Sequence, residues 1–250
     1  MSIQFNHLSP SPIINTLADS EQIIALWHGF YHDSAVQADI AELTAHMDKQ
    51  CWITYQTHWQ ALQTPTSTEN DLTNWLIILF NNLFNQPNFC AMPTVLVRGA
   101  GEPEYFAADN THPARIEFAH GFFQSALHEI SHWCIAGKQR RTLNDFGYWY
   151  AADGRDKNTQ TLFEQVEIMP QAIECLLSLA CGRYFYVSQD NLNADFDTSN
   201  STFASDVFTK AHEFLQQPQR LPRDARRLLW ALLAICQPSD YNAYSQMNSL

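Results

Sequence analysis

The sequence predicts an α+β fold in which a small mixed sheet packs with several helices. Apolar residues recur at helical spacing through most of the chain, and three short β-branched or aromatic runs lie between them. With 46% hydrophobic and 13% aromatic residues in 250, the chain can bury a substantial core and is not disordered.

Residues 18–63 read as helical, with Ile23, Ile24, Trp27 and Phe30 at helical spacing. The run QTPTSTEND at 63–71 is polar and carries a proline, so it reads as a linker or long loop. A helix follows at WLIILFNNLF from Trp75, with Thr73 or Asn74 as its N-cap. TVLVRG (94–99), EYFAAD (104–109) and RIEFAH (115–120) are strand candidates. Helical pattern resumes after Gly121 and ends near Gly137, where a glycine C-cap belongs. Residues 139–158 are loop-rich and aromatic, and 159–182 form a long helix that Pro170 should kink or divide. Two further helices are expected near 203–217 and 223–236. There is no internal repeat and no low-complexity tract. The chain divides into a helical N-terminal extension, 1–70, and a domain, 71–250, with its own helices, strands and site, which should fold without the extension.

The formal net charge of -12 argues against general affinity for nucleic acid or anionic membranes. MSIQFNHLSPSP has neither a basic start nor an apolar run, so no signal peptide is expected. The longest apolar stretch, Trp75 to Phe84, is too short for a membrane span and contains Asn81 and Asn82. Six dispersed cysteines (Cys51, Cys90, Cys134, Cys175, Cys181, Cys236) with no CxxC pair read as reduced, mostly buried thiols of a cytoplasmic protein.

The most chemically informative run is HEISH, His128 to His132. At about 100° per residue the two histidines lie one turn apart on one helix face. Ala126, Leu127, Ile130, Trp133 and Cys134 fall on the opposite side, where a core would want them. The histidine face is flanked by Gly121, Ser125 and Ser131, as suits the wall of a cavity. The same His-x3-His spacing recurs at His28 and His32, across Gly29, without the glutamate. HExxH is the spacing of zinc hydrolases, in which the glutamate is the general base. The longer HExxHxxGxxH pattern fails, because Ile135 and Lys138 stand at its glycine and third histidine. A third ligand must come from elsewhere: Glu164 and Glu167 in FEQVE are candidates, and so is His120 just upstream. Three-residue spacing puts both glutamates on nearby faces and does not choose between them. Two histidines and a carboxylate serve zinc hydrolysis and ferrous oxygen chemistry alike.

Several blocks between about Trp75 and about residue 235 occur together and in order: FAHGFFQSALHEISHWCIAGKQRR, DFGYWY, DGRD, FEQVE followed by PQA, and VSQDNL. On these the chain resembles the bacterial elongation factor P hydroxylases. The resemblance implies a zincin-like metal helix, in a fold similar to that of an endoribonuclease family. It also implies hydroxylation of a lysine side chain on elongation factor P that has already been extended with β-lysine. A divalent metal ion, Fe(II), would sit on His128, His132 and Glu167, the second acid of FEQVE, with dioxygen as co-substrate. Elongation factor P would be the protein partner, in the cytoplasm, with no direct nucleic acid and no membrane. Glu129 is the candidate catalytic residue beside the metal, with no ligand role. The first 70 or so residues have no counterpart in that resemblance. The alternative is a zinc-dependent hydrolase, peptidase or ribonuclease, holding Zn(II) and using Glu129 as base on water.

Three further features stand near these motifs. Tyr148, Trp149 and Tyr150 could line a slot for a lysine's aliphatic stem or belong to the core. Lys138 to Arg141 complement a helix C-terminus or meet an acidic substrate. Arg155 and Asp156 form a turn or shape the site.

Overall fold

Aspartates punctuate the N-terminal helical stretch. In a computed structural model, described over residues 20–87, 90–147, 154–189 and 201–237, this stretch is three helices: α1 (Ser20–His32), α2 (Ser34–His46) and α3 (Lys49–Ala61). Asp33 caps α2 by accepting from the backbone N–H of Ala35 and Val36, and Asp48 caps α3 by accepting from that of Cys51. Each carboxylate satisfies donors that a helix start otherwise leaves unpaired. Trp27 and Phe30 of α1 are buried, as their spacing predicts.

Helix α4 (Glu69–Phe84) begins earlier than the sequence reading places it. Its N-cap is Thr68, not Thr73 or Asn74, which lie inside the helix. Thr68 Oγ1 accepts from Asp71 N at 3.2 Å while Thr68 N donates to Asp71 Oδ2 at 2.9 Å. This reciprocal capping box sits within a run that reads as linker because it is polar. Trp75, Leu76, Leu79, Phe80, Leu83 and Phe84 are the buried face of α4. The asparagines that interrupt this apolar run have structural work. Asn81 accepts from Leu96 N (2.7 Å) and donates to Leu96 O (3.2 Å), pairing the open edge of the first strand, and Asn82 donates to Tyr55 Oη at 3.0 Å.

Strands β1 (Thr94–Arg98), β2 (Glu104–Phe106) and β3 (Ala114–Phe118) form the small mixed sheet, in the order β1-β3-β2. β3 runs parallel to β1 and antiparallel to β2, bringing Leu96, Ile116 and Tyr105 into line. All three are buried, so alternation along each strand sets which face meets the helices.

Helix α5 (Phe123–Arg140) carries HEISH, and its N-terminus has no capping side chain of its own. Glu69, from the first turn of α4, accepts from Phe123 N at 2.9 Å and from Arg183 at 2.7 Å. A carboxylate at a helix start satisfies a backbone donor and complements the macrodipole. Gly137 ends the regular part of α5 with φ 66 and ψ 177, a positive-φ conformation that glycine takes without the steric cost other residues bear, though not the αL geometry of a glycine C-cap. Helix α6 (Lys157–Ala180) is capped by Asp156, which accepts from Thr159 N. It continues through Pro170 as one element, so the expected division there does not occur. Pro170 and the residues that follow it, Gln171 to Ala180, are all buried, and packing holds the helix across the missing N–H. Helices α7 (Phe203–Gln216) and α8 (Arg223–Cys236) agree with the sequence reading. All six cysteines are free, three of them buried.

The segment before Thr68 shares its core with the segment after it. Trp52 of α3 meets Trp230 of α8 edge to face at 5.1 Å, and Trp59 meets Trp75 of α4 at 4.5 Å. Gln56 donates to Ala234 O at 2.9 Å. Buried Asp39 of α2 accepts from Arg223 and Arg226, at 3.1 and 2.8 Å, while Glu42 accepts from Arg223 and Arg227. Trp52 is 1% exposed, so Trp52→Ala should lower stability by about 3–5 kcal/mol, read by chemical denaturation. A loss below 1 kcal/mol would show that α3 contributes little to the core. By the same packing, a chain begun at Thr68 should melt at lower temperature than the full chain.

Candidate metal centre

The packing of α5 on α6 brings His128, His132 and Glu167 together. The Nε2 atoms of the two histidines face each other at 3.1 Å. Glu167 Oε1 lies 3.2 Å from His132 Nε2, and Oε2 lies 3.8 Å from His128 Nε2. One donor atom from each residue falls within 4.8 Å of the others, a separation that a single ion between them can span. The histidines are partly exposed, with side chains 29% and 24% accessible, while Glu167 is 7% accessible. The cluster is therefore enclosed at its base and open on one side. Behind it, Ala126, Leu127, Ile130, Trp133 and Cys134 are all buried, as the apolar stripe requires. Ser131 departs from expectation: it is fully buried and donates to Leu127 O at 2.7 Å, so it does not form a cavity wall.

Electrostatics follow from the enclosure. Burial disfavours the charged form of His128, but Glu174 foremost, then Glu167 and Glu129, push its pKa up to about 10. For Glu167 burial acts upward, yet His132 and His128 hold the carboxyl down to about 2. Burial pushes the Glu129 carboxyl up, against the pull of the two histidines. Without an ion, a proton is what reconciles two imidazole nitrogens aimed at each other, and a divalent cation competes for that place.

Glu129 is partly buried and has no hydrogen-bond or ion-pair partner among the described residues. Glu164, the other acid of FEQVE, lies away from the histidines: it accepts from Ser201 Oγ at 2.8 Å and from Gln160 at 3.1 Å. His120 is exposed, with φ 58, and its ring faces Phe122 rather than the cluster. His28 and His32 also face each other at 3.1 Å, but they are exposed and gather no third donor among the described residues.

The neighbouring motifs divide. Arg141, at the end of KQRR, is buried, stacked on Trp133 at 3.5 Å and paired with Asp224 at 2.6 Å, so it is a core pillar rather than a substrate contact. Arg155 is buried over Phe163 at 3.8 Å and donates to Gln160 and to Gln189 O, holding the 188–189 segment on α6. Tyr148, Trp149 and Tyr150 lie outside the described residues.

Sequence reasoning missed Glu174 and Gln171. Glu174 Oε2 takes His128 Nδ1 at 2.8 Å, and Gln171 contacts Glu167 Oε2 at 3.4 Å. Their signal was available: Glu167, Gln171, Glu174 and Ser178 recur at i, i+4, i+7 and i+11, a polar stripe in the otherwise apolar part of the helix from Val166 to Ala180, and all four are buried.

Fold and cluster together define a class: a mainly helical α+β protein whose two histidines, one turn apart, meet a glutamate from the next helix. Within that class, residues 79–245 match the model of the elongation factor P hydroxylases, and the chain belongs to that family. It is also similar to the elongation factor P lysine hydroxylase of Haemophilus influenzae, 41% identical over 166 residues that cover 66% of this chain and 89% of the relative. The span 79–245 contains all three clustered residues and leaves the whole N-terminal helical segment outside.

Geometry separates the two acids of FEQVE. Glu167→Gln should sharply reduce bound metal, whereas Glu164→Gln should leave it near the parent level, as measured by metal analysis of purified protein. Equal metal in both variants would break the link between this cluster and metal binding.

Proposed function

We propose that this chain hydroxylates the lysine side chain of elongation factor P, in the form already extended with β-lysine, using a metal ion held by His128, His132 and Glu167. The observation that supports it best is the convergence of these three donors inside the span that matches the family. Two imidazoles and one carboxylate are a ligand set that would suit Fe(II), which would supply dioxygen activation when bound.

The chain's own residues supply geometry. The apolar side of α5 excludes water from behind the cluster, while the partial exposure of the histidines leaves an approach from one side. A long lysine-type side chain can enter there and present one C–H bond to the reacting centre, which is catalysis by positioning. Glu129 stands beside the histidines without ligating, and acts on them through its charge. No described helix is long and apolar enough to cross a membrane. The net charge of -12 disfavours anionic membranes and nucleic acid, in keeping with a protein partner in the cytoplasm. Family membership favours the hydroxylase over a zinc-dependent hydrolase, in which Glu129 would activate water.

The assay is a gain of one oxygen atom on β-lysylated elongation factor P, read by mass spectrometry with and without dioxygen. Hydroxylation should require oxygen. His128→Ala and His132→Ala should each abolish it at unchanged secondary structure, and activity surviving in either variant would remove that residue from the site. Glu129→Gln should slow the reaction by about 10–100-fold, the usual scale for a residue that acts on a metal site from beside its ligands. A loss of several orders of magnitude, together with oxygen-independent cleavage of peptide or RNA, would instead indicate the hydrolase.

A further inference from the structure

We infer that Glu174 is a positioning residue of this centre: it holds the Nδ1–H of His128 so that Nε2 is presented to the metal, with Gln124 and Ser178 fixing Glu174 in turn. This rests on the metal-binding reading above. Glu174 is 6% exposed on a helix face that is otherwise apolar from Ala172 to Ala180, apart from Ser178. Burying a carboxyl there is costly unless both oxygens are satisfied. Both are: Oε2 takes His128 Nδ1 at 2.8 Å and Oε1 accepts from Gln124 Nε2 at 2.6 Å. Gln124 Nε2 also donates to the fully buried Ser178 Oγ at 2.9 Å, so the carboxyl is held in place rather than free to rotate. Packing alone does not require this chain of polar groups, since an apolar side chain would fill the same space. Orienting an imidazole does require it. A ring nitrogen that donates to a carboxyl fixes the tautomer and leaves the other nitrogen with its lone pair outward. The two histidines differ here, because His132 Nδ1 has no such partner among the described residues.

The test measures zinc affinity by chelator competition, with no catalysis involved, together with the Nδ1 proton of His128 by ¹⁵N-edited NMR of the zinc-loaded protein. Glu174→Ala should weaken zinc binding by about 10–100-fold and lose the slowly exchanging Nδ1 proton. Glu174→Gln keeps an acceptor of the same shape, so it should fall between Glu174→Ala and the parent, and it serves should the alanine variant fold poorly. Gln124→Ala should produce a smaller loss than Glu174→Ala. Parent-like zinc affinity in Glu174→Ala, where His128→Ala loses it, would overturn the inference and leave the three-ligand centre standing. Absence of zinc binding in the parent chain would instead overturn the metal reading, and this inference with it.

Discussion

Where α5 lies against α6, His128, His132, Glu167 and Glu174 occupy one small space that water reaches only in part. Removing such groups from water disfavours their charged forms, and their mutual pairing must offset that penalty. Glu167 and Glu174 do so from one face of α6, two turns apart, each against a different part of the histidine pair. The arrangement tolerates little sliding of one helix on the other. A shift of one turn, about 5.4 Å, would put Glu167 out of reach of both imidazoles.

Much of the remaining fold holds those two helices in place. Glu69 satisfies the start of α5 from α4 and pairs with Arg183 just beyond the end of α6. Arg141 ties the far end of α5 to α8 through Asp224. Trp133, on the side of α5 away from the histidines, packs between Phe80 and Phe84 of α4 at 5.2 and 5.0 Å, and donates to Thr94 at the start of the sheet. The N-terminal helices reach this scaffold through α8 and α4, by the Trp52–Trp230 and Trp59–Trp75 contacts and the Asp39 and Glu42 ion pairs. Trp59 also meets Phe123, the first residue of α5, at 6.4 Å, so these helices bear on the metal helix as well as on the frame.

The α+β class, the three strands and the later helices were legible because periodicity and glycine positions record them directly. HEISH was legible for the same reason, since both histidines sit on one element and helical geometry alone puts them on one face. Choosing Glu167 over Glu164 was not possible from spacing: the two lie three residues apart, and only the contact with α5 shows which one faces the histidines. Resemblance to a family supplied that choice in advance. The start of α4 was misplaced because Thr68 and Asp71 lie in a polar stretch whose composition suggests a linker, although together they form a capping box. Glu174 shows in the sequence as a polar residue seven after Glu167 in the apolar later half of α6, but its partner, His128, is set only by the packing of α6 on α5. Arg141 read as a helix-end cation or a substrate contact because sequence does not reveal that Trp133 and Asp224 enclose it.

The site we propose holds one divalent ion between α5 and α6. Anomalous scattering from crystals of the iron-loaded protein, grown without oxygen and measured at the iron edge, locates that ion directly. One peak should appear within about 2.0–2.2 Å of His128 Nε2, His132 Nε2 and a Glu167 oxygen, the usual range for such ligands. A peak at the exposed His28–His32 pair with none between α5 and α6 would contradict the account.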